Sequence, residues 1–356
     1  MAGSKVALVF GGRSVEHRVS IRSARTVAGA LVAAGHDVIP CGIALDGTWV
    51  ERSAAEAALA GAGETLGPGA AGSPIDRLAG AEVAFPLVHG TWGEDGTLQG
   101  FFEILDLPYI GAGVTASAVA MDKGLAKSVM MASGVPVVDW ELVTREDLAS
   151  DPEACVERLE RLGYPLFAKP SVGGSSVGVR KVPDPSCVRT SLEFALRFDE
   201  RVVVERAVPG RELECSVLGH RRLEASVVGE IVPGHEFYDY ADKYLEDTAR
   251  LDVPARLPEA LSDRLRELAV RAFASIGGHG MARVDFLLDG ETPYVNEINT
   301  LPGFTSISMY PKLWEASGLP IDRLVDRLVG IAVERHGERR RLNEGILEWV
   351  GSLGAG

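Results

Sequence analysis

Two carboxylates and one amide occur in a segment whose pattern predicts a β-hairpin. Residues 281–298 contain two β-prone runs separated by an Asp-Gly turn signal. A turn at this point would bring Asp285 opposite Asn296 or Glu297, and Glu297 shares a strand face with Asn299 because strand side chains alternate. Mg²⁺ prefers carboxylate and amide oxygens and keeps room for phosphates. The three side chains Asp285, Glu297 and Asn299 therefore predict a magnesium site that binds a nucleotide.

Arg283 lies one strand step from this set, on the same face as Asp285. Its charge could neutralise a phosphoryl group in transfer or an adjacent oxyanion. The alternative is an ordinary hairpin whose acidic side chains are only solvated, and the arginine favours the metal site over that interpretation.

A second candidate site is the glycine-rich segment from Lys169 to Gly178, which contains Ser175 and Ser176. Successive backbone N–H groups in such a loop attract anions, and Lys169 adds a full charge. The segment lacks the Gly-Lys-Ser/Thr ending of a Walker loop. A glycine-rich hairpin turn is the alternative, but the predicted magnesium hairpin downstream favours a loop that binds phosphates.

The N-terminal pattern predicts the framework that positions these groups. Strands at Lys5–Phe10 and Val38–Ile43 flank a helix at Glu16–Ala34. This order implies a parallel sheet covered by helices, with ligands near the carboxyl ends of the strands.

Further elements are predicted along the rest of the chain, with a loosely held helix as the tail after Arg335. The predicted strands are Val83–Val88, Pro108–Ile110, Tyr164–Ala168, Val179–Val182 and Val202–Glu205, and the predicted helices are Ala116–Ala132, Leu261–Ile276 and Ile321–Ile331.

Composition excludes several classes of protein. The chain has 36 Lys and Arg against 50 Asp and Glu, a net charge of −14, which argues against nucleic acid or an anionic membrane as the main partner. No apolar stretch has spanning length and no signal peptide is recognisable, so we expect a cytoplasmic protein. The four cysteines show no CxxC spacing, which favours free thiols over a disulfide framework or zinc site.

Taken together, the motifs resemble the ATP-grasp superfamily and, over residues 4–336, the D-alanine–D-alanine ligase family. Besides the hairpin, five blocks carry the resemblance: Gly11-Gly12-x-Ser-x-Glu16-His17-x-Val-Ser20, His89-Gly-x-x-Gly-Glu94-Asp95-Gly-Thr-x-Gln99-Gly100, Met121-Asp122-Lys123, Lys169 to Gly178, and Phe237-Tyr238-Asp239-Tyr240-x-x-Lys243-Tyr244.

The resemblance implies a mixed α/β and α+β fold, in which an N-terminal Rossmann-like parallel sheet precedes a two-part ATP-grasp fold. We expect a substrate unit at 1–113, a central ATP-grasp unit at 114–208, a C-terminal unit with a lid and the metal site at 209–338, and a tail at 339–356. A homodimer is also expected by analogy with the family.

The family reaction implies ATP and Mg²⁺ or Mn²⁺, with two ions per site. One D-alanine carboxylate attacks the γ-phosphate to give an acyl phosphate, and the amine of a second D-alanine displaces phosphate. The implied ATP-binding residues are Lys123, Lys169, Ser176, Glu205, Arg206, Val208, Glu212, Lys243 and Asn296, and the implied metal ligands are Asp285, Glu297 and Asn299.

The resemblance also assigns the substrate groups. It implies that Glu16 and His89 hold the first ammonium, Arg283 and Gly303 the oxyanion, and Ser308 with Met309 the second carboxylate. Glu16, Ser175 and Tyr244 would form a hydrogen-bonded latch under a lid.

Several alternatives stay open. Glu16 could act only as a helix N-terminal residue, and His89 could only close a loop. The intact lid motif favours an amine as second nucleophile, with D-alanyl-D-serine or D-alanyl-D-lactate synthesis as the alternative within the family. A different ATP-grasp carboxylate ligase, or an ATP-binding protein without catalysis, are the competing functions.

Overall fold

The first unit is a parallel sheet made by alternating strands and helices, as its sequence pattern predicts. A computed structural model of the chain describes residues 3–69, 72–232 and 250–353. In chain order this unit contains β1 (Lys5–Gly11), α1 (His17–Ala33), β2 (Asp37–Ile43), α2 (Arg52–Leu59), α3 (Pro74–Arg77), β3 (Val83–Pro86) and α4 (Thr97–Ile104). Strand β1 pairs in parallel with β2 on one side and β3 on the other, which confirms the predicted sheet.

The central unit has an antiparallel sheet with the strand order β4-β7-β5-β6. Its elements are α5 (Val114–Met121), α6 (Lys123–Ala132), β4 (Trp140–Thr144), α7 (Arg145–Ser150), α8 (Pro152–Glu160), β5 (Leu166–Pro170), β6 (Arg180–Val182), α9 (Val188–Ala195) and β7 (Arg201–Arg206).

The single helix predicted at 116–132 is wrong, because the chain breaks between α5 and α6. Asp122 has an extended backbone (φ −90°, ψ 103°), and its carboxylate accepts a hydrogen bond from the Leu125 N–H. Aspartate favours this N-cap position over a helix interior because its short side chain binds a free backbone donor. The break turns Lys123 into the first residue of a new helix.

The C-terminal unit has a second antiparallel sheet, with the order β10-β9-β8-β11-β12. It contains β8 (Arg211–Gly219), β9 (Leu223–Val232), β10 (Arg250–Asp252), α10 (Glu259–Ser275), β11 (Gly280–Asp289), β12 (Thr292–Asn299), α11 (Met309–Ala316) and α12 (Ile321–Leu353). Strands β11 and β12 are the predicted hairpin. Asp285 pairs with Glu297, as predicted, and a bulge follows between Asp285 and Phe286.

Two other segments differ from expectation. The strand predicted at 108–110 is reduced to one parallel bridge between Tyr109 and Ala84. Helix α12 continues as one helix to Leu353, through the limit predicted at 338–339 for the last unit. The predicted domain limits themselves stay predictions.

Helix α12 joins the first and last units through a shared core. Its buried face, including Leu324, Val325 and Leu328, packs in the same apolar cluster as Leu31 of α1 and Phe85 of β3. Burial of apolar surface drives such packing at about 25 cal/mol per Å². The first unit is therefore held against the unit that carries the hairpin.

Candidate functional site

One large cleft, with a volume of about 1270 Å³, contains every predicted site residue that the structure describes. Lys243 and Tyr244 lie outside the described residues. The predicted residues that line the cleft are Glu16, His89, Lys123, Lys169, Ser175, Ser176, Glu205, Arg206, Val208, Glu212, Arg283, Asp285, Asn296, Glu297, Asn299, Gly303, Ser308 and Met309.

The β11–β12 hairpin presents the predicted metal set on one wall. Arg283 donates two hydrogen bonds to Asp285, from Nε to Oδ1 and from a terminal nitrogen to Oδ2, each 2.7 Å long. Its Nε also lies 3.0 Å from Glu214 Oε2 on β8. Burial opposes the charge of Arg283, but the carboxylates, Asp285 first, hold its pKa well above the ordinary value. The arginine is a permanent cation here.

The donor set fits a hard divalent cation. Asn299 Nδ2 donates to Asp285 Oδ2 at 2.9 Å, so the amide lies beside that carboxylate, and rotation of the amide would present its oxygen instead. In the described part of the chain no three histidine, cysteine, aspartate or glutamate side chains are grouped to hold a metal ion. A metal at the hairpin would therefore use the two carboxylates, the Asn299 amide and ligands from outside the chain, an all-oxygen set suited to Mg²⁺ or Mn²⁺.

Lys169 and Glu205 form a second wall of the cleft, on adjacent antiparallel strands β5 and β7. The Lys169 ammonium contacts Glu205 Oε1, and it lies 3.5 Å from Asn296 Oδ1 on the hairpin, the limit of a hydrogen bond. Glu205 Oε2 lies 2.8 Å from the Nζ of Lys127. Burial and, after it, the charge of Lys127 lower the pKa of Lys169 to about 7, while the Glu297 carboxylate opposes both effects.

The glycine-rich loop is tied to the start of α6. Lys123 Nζ donates to the Gly173 carbonyl at 2.6 Å, and Ser171 Oγ donates to Asp122 Oδ1 at 2.7 Å. Ser175 and Ser176 both adopt left-handed backbone, with φ of 53° and 57°. Non-glycine residues seldom adopt this conformation outside sites that require it. The loop thus holds a curved path over the cleft next to Lys123.

Glu16 lies at the N-terminus of α1 without a side-chain capping hydrogen bond. It instead lies between two glycine loops. A Cβ at Gly90 would be 2.8 Å from Glu16 Oε2, and one at Gly174 would be 3.6 Å away. Gly90 also has a φ of +75°, so both the backbone conformation and the close contact with Glu16 require glycine at this position.

His89 and Glu94 complete a group with Glu16 that we call the His89 corner. His89 is 3% exposed, and its ring contacts Ser23 Oγ at 3.1 Å and the Leu301 carbonyl at 3.0 Å. Its Nδ1 lies 3.7 Å from Glu94 Oε1.

The two side chains shift each other's protonation. Burial raises the pKa of Glu94 to about 7, against the effect of His89. Burial lowers the pKa of His89, but Glu94 and then Glu16 offset this and raise it. The charge of the His89 corner therefore depends on how Glu94 and His89 share protons, and its carboxylates could contact a substrate ammonium.

The loop before α11 also lines the cleft. The Thr305 N–H donates to Ser308 Oγ at 2.9 Å, and a Cβ at Gly303 would lie 2.8 Å from the same oxygen. Ser308 is the N-cap of α11 and Met309 its first residue, and the N-terminus of a helix attracts a carboxylate. The Met309 side chain is 4% exposed, so packing is its visible role.

The remaining predicted residues line the cleft where β7 ends and β8 begins. Arg206 ends β7 and Glu212 is the second residue of β8, with Val208 in the connection. Arg206 lies over the Tyr294 ring, 6.0 Å from its centre.

Sequence reasoning missed roles for Lys127, Glu94 and Glu214. The sequence offers one weak indication for Lys127, which follows Lys123 by one helical turn and so lies on the same helix face. Glu94 belongs to a recognised block but was given no task. Glu214 had no signal, because only the pairing of β8 with β11 brings it opposite Asp285.

Comparison with known proteins accounts for both halves of the chain. Residues 5–112 match the family described as D-ala D-ala ligase N-terminus, and residues 129–330 match D-ala D-ala ligase C-terminus. A D-alanine--D-alanine ligase of Solibacter usitatus is 45% identical and covers 94% of this chain and 97% of its own length. One from Mycolicibacterium vanbaalenii is also 45% identical, covering 93% and 97%.

Solved structures agree. The D-alanine-D-alanine ligase from Coxiella burnetii superposes with a TM-score of 0.84 at 35% identity, covering 98% of this chain and 99% of that one. The VanG D-Ala:D-Ser ligase from Enterococcus faecalis gives 0.80 at 33% identity, covering 93% and 99%. Sequence and structure thus agree over nearly the whole length, and the chain belongs to the D-alanine–D-alanine ligase family.

Proposed function

We propose that this protein joins two D-alanine molecules into D-alanyl-D-alanine and converts ATP to ADP and phosphate, for the synthesis of peptidoglycan precursors. The observation that carries the proposal is that a single cleft contains the His89 corner, the glycine-rich loop with its lysines, and the acidic hairpin. An amino acid and a nucleotide triphosphate could therefore meet in one site.

The nucleotide would lie between the central and C-terminal units. Lys123 and Lys169 would meet the phosphates, with the backbone of the Ser175-Ser176 segment over them. Asn296 would lie beside the phosphates and Lys243 would contact the γ-phosphate. Arg206, Val208 and Glu205 would hold adenine, and the Glu212 carboxylate would accept hydrogen bonds from the ribose hydroxyls.

Asp285, Glu297 and Asn299 would hold the metal, with two Mg²⁺ or Mn²⁺ ions per site. Bound there, the metal would neutralise phosphate charge and help to align the phosphates. Arg283 supplies a permanent positive charge at the same wall. Its ion pairs with Asp285 and Glu214 hold the guanidinium in one orientation.

The two D-alanines would lie end to end along the other half of the cleft. Glu16, supported by His89, would hold the first ammonium and so leave the first carboxylate facing the γ-phosphate. Attack of that carboxylate gives an acyl phosphate and ADP. The second amine then attacks the acyl carbon, and phosphate leaves through a tetrahedral intermediate.

Oxyanion stabilisation in this second step would come from Arg283 and the Gly303 N–H. Ser308 and the α11 N-terminus at Met309 would hold the second carboxylate. Ser175, Glu16 and Tyr244 would form the latch that keeps water from the acyl phosphate.

D-serine is the alternative second substrate, because a D-Ala:D-Ser ligase is among the similar structures. The test is phosphate release from Mg-ATP with D-alanine, D-serine, D-lactate and L-alanine, singly and in pairs, with products identified by mass. Release with D-alanine alone, yielding the dipeptide, supports the proposal. Activity only with a mixed pair moves the assignment to that product, and silence throughout with ATP still bound contradicts catalysis.

We further propose that the protein acts in the cytoplasm as a homodimer. No helix in the described residues is long and apolar enough to cross a membrane. Light scattering should give twice the 37.9-kDa mass of the chain, and a mass equal to that of one chain would contradict the dimer.

A further inference from the structure

Lys127 is a buried cation that the proposed reaction leaves unexplained. It lies on α6 and is 2% exposed, behind the cleft wall. Its Nζ is 2.8 Å from Glu205 Oε2, an ion pair whose alignment falls short of a hydrogen bond. Burying a lysine is costly unless an opposite charge compensates for the lost water. The presence of a buried lysine at this position is therefore explained by its ion pair with Glu205.

Glu205 has a cation on each of its two oxygens among the described residues. Oε2 contacts Lys127, and Oε1 contacts Lys169, whose side chain is 16% exposed and lines the cleft. Glu205 itself is 2% exposed. The carboxylate is thus held between a lysine that lies behind the wall and one that reaches the nucleotide space.

This arrangement poses a problem for nucleotide binding. A donor that Lys169 gives to Glu205 is not available to a phosphate, so full contact with the phosphates requires Lys169 to turn from Glu205. If Lys169 were the only partner, turning away would leave a buried carboxylate without compensation, which is strongly unfavourable. A second cation that stays in place removes this obstacle.

We propose that Lys127 is a positioning residue that keeps Glu205 paired while Lys169 turns from Glu205 to the nucleotide phosphates. The inference rests on the proposed function, since it takes a nucleotide as the ligand of the cleft. It adds that one lysine acts on the phosphates only because another holds the carboxylate.

Loss of Lys127 should weaken mainly the binding of ligands that carry phosphates. Without Lys127, Glu205 retains Lys169, and the nucleotide loses one contact at its phosphates. The nucleoside contacts remain, those of Arg206, Val208 and Glu212. ADP binding should then weaken about 10- to 100-fold, the loss typical of one charge-assisted hydrogen bond. Adenosine, which has no phosphate, should be affected far less. General damage to the cleft would weaken both ligands alike.

The test uses Lys127→Met and the inhibition constants of ADP and adenosine, each measured against ATP in the full-length protein. Lys5→Met, which removes a lysine from an exposed position on β1, is the control and should leave both constants unchanged. If Lys127→Met does not fold, Lys127→Gln gives the same comparison, because its amide donates to Glu205 without a charge. Thermal unfolding of each variant establishes that it is folded.

A double variant tests whether the loss of ADP affinity can be reversed. In Lys127→Met with Glu205→Gln the neutral amide no longer needs a cation, so Lys169 is released. The ratio of the ADP constant to the adenosine constant should return to that of Glu205→Gln alone.

Equal weakening of ADP and adenosine, no weakening of ADP, or a double variant without rescue would each overturn the role of Lys127. Wild-type protein that fails to bind ADP would instead contradict the proposed function itself.

Discussion

The hairpin and the His89 corner both pair carboxylates with a cation, yet they hold charge in different ways. In the hairpin, Arg283 has a pKa well above its ordinary value, so it keeps its positive charge beside Asp285. In the His89 corner, burial brings the pKa of Glu94 to about 7 and the pKa of His89 is raised as well. The wall expected to bind phosphates thus has permanent charge, and the wall expected to bind an amino acid has charge that protons can redistribute.

The largest effect on activity should come from breaking the ion pair between Arg283 and Asp285. Arg283→Met is expected to lower kcat about 10²- to 10³-fold, the loss typical of one oxyanion donor, because the tetrahedral intermediate loses its cation. Phosphate release at saturating ATP and D-alanine measures this. Arg327→Met removes a comparable pair with Glu224 on the outside of the protein and serves as the control. Equal kcat values for the two variants would contradict the role of Arg283.

A bound metal ion should stabilise the folded protein only through its ligands on the hairpin. Mg²⁺ with ADP, at about a hundred times the dissociation constant, should raise the free energy of unfolding by about 2.7 kcal/mol in the wild type. Asp285→Asn removes a carboxylate ligand and should lose most of this increase. Thermal unfolding with and without Mg²⁺ measures it. Glu16→Gln, in the other region, should retain the increase, and an equal loss in both variants would count against the assigned ligands.

Glu16→Gln tests the His89 corner by kinetics. The amide keeps the shape but loses the charge, so kcat/KM for D-alanine should fall about 10- to 100-fold. The KM for ATP should change little, since we expect the nucleotide to occupy the other half of the cleft. Glu51→Gln, which removes a carboxylate paired with Arg77 away from the cleft, is the control. A rise confined to the KM for ATP would show that Glu16 serves the nucleotide instead.

The smallest effect concerns protonation of the His89 corner. A raised folded pKa means that the stability Glu94 contributes at low pH is lost as pH rises from its ordinary value of 4.5 through about 7. Glu94→Gln has no such loss, so its stability relative to wild type should improve by on the order of 1 kcal/mol between pH 5 and pH 8.

Loss of Glu94 also removes the support that raises the pKa of His89, which changes the comparison in the same direction. Urea unfolding at the two pH values gives the result. Glu56→Gln, at an exposed position on α2, is the control. A difference between Glu94→Gln and wild type that does not vary with pH would refute the shared protonation.

Local segments were the most predictable. The two runs of the hairpin and their Asp-Gly turn are adjacent in sequence, so a two-residue period and one turn determine which side chains meet. Asp285 opposite Glu297 was predicted in this way and is confirmed. The break at Asp122 was missed because Asp-Lys inside an apolar helical pattern looks tolerable until the cap and the Ser171 hydrogen bond are seen.

Contacts between residues distant in sequence could not be predicted from local patterns. His89 meets Leu301, which is 212 residues away, and Glu214 reaches Arg283 only because β8 pairs with β11. Lys127 is a plain lysine in sequence, and only the tertiary fold, which brings its Nζ within 2.8 Å of Glu205 Oε2, makes it a buried partner of that carboxylate.

The sequence by itself determined the chemistry available to this protein: oxygen ligands and an arginine on a hairpin, lysines beside a glycine loop, and the order of blocks typical of the ligase family. These follow from residue type and short-range period, which depend on neighbours along the chain. The tertiary structure decided which charges face each other and which are buried. Those properties depend on pairings between distant segments and on the exclusion of water, and they set both the permanent charge of the hairpin and the shared protonation of the His89 corner.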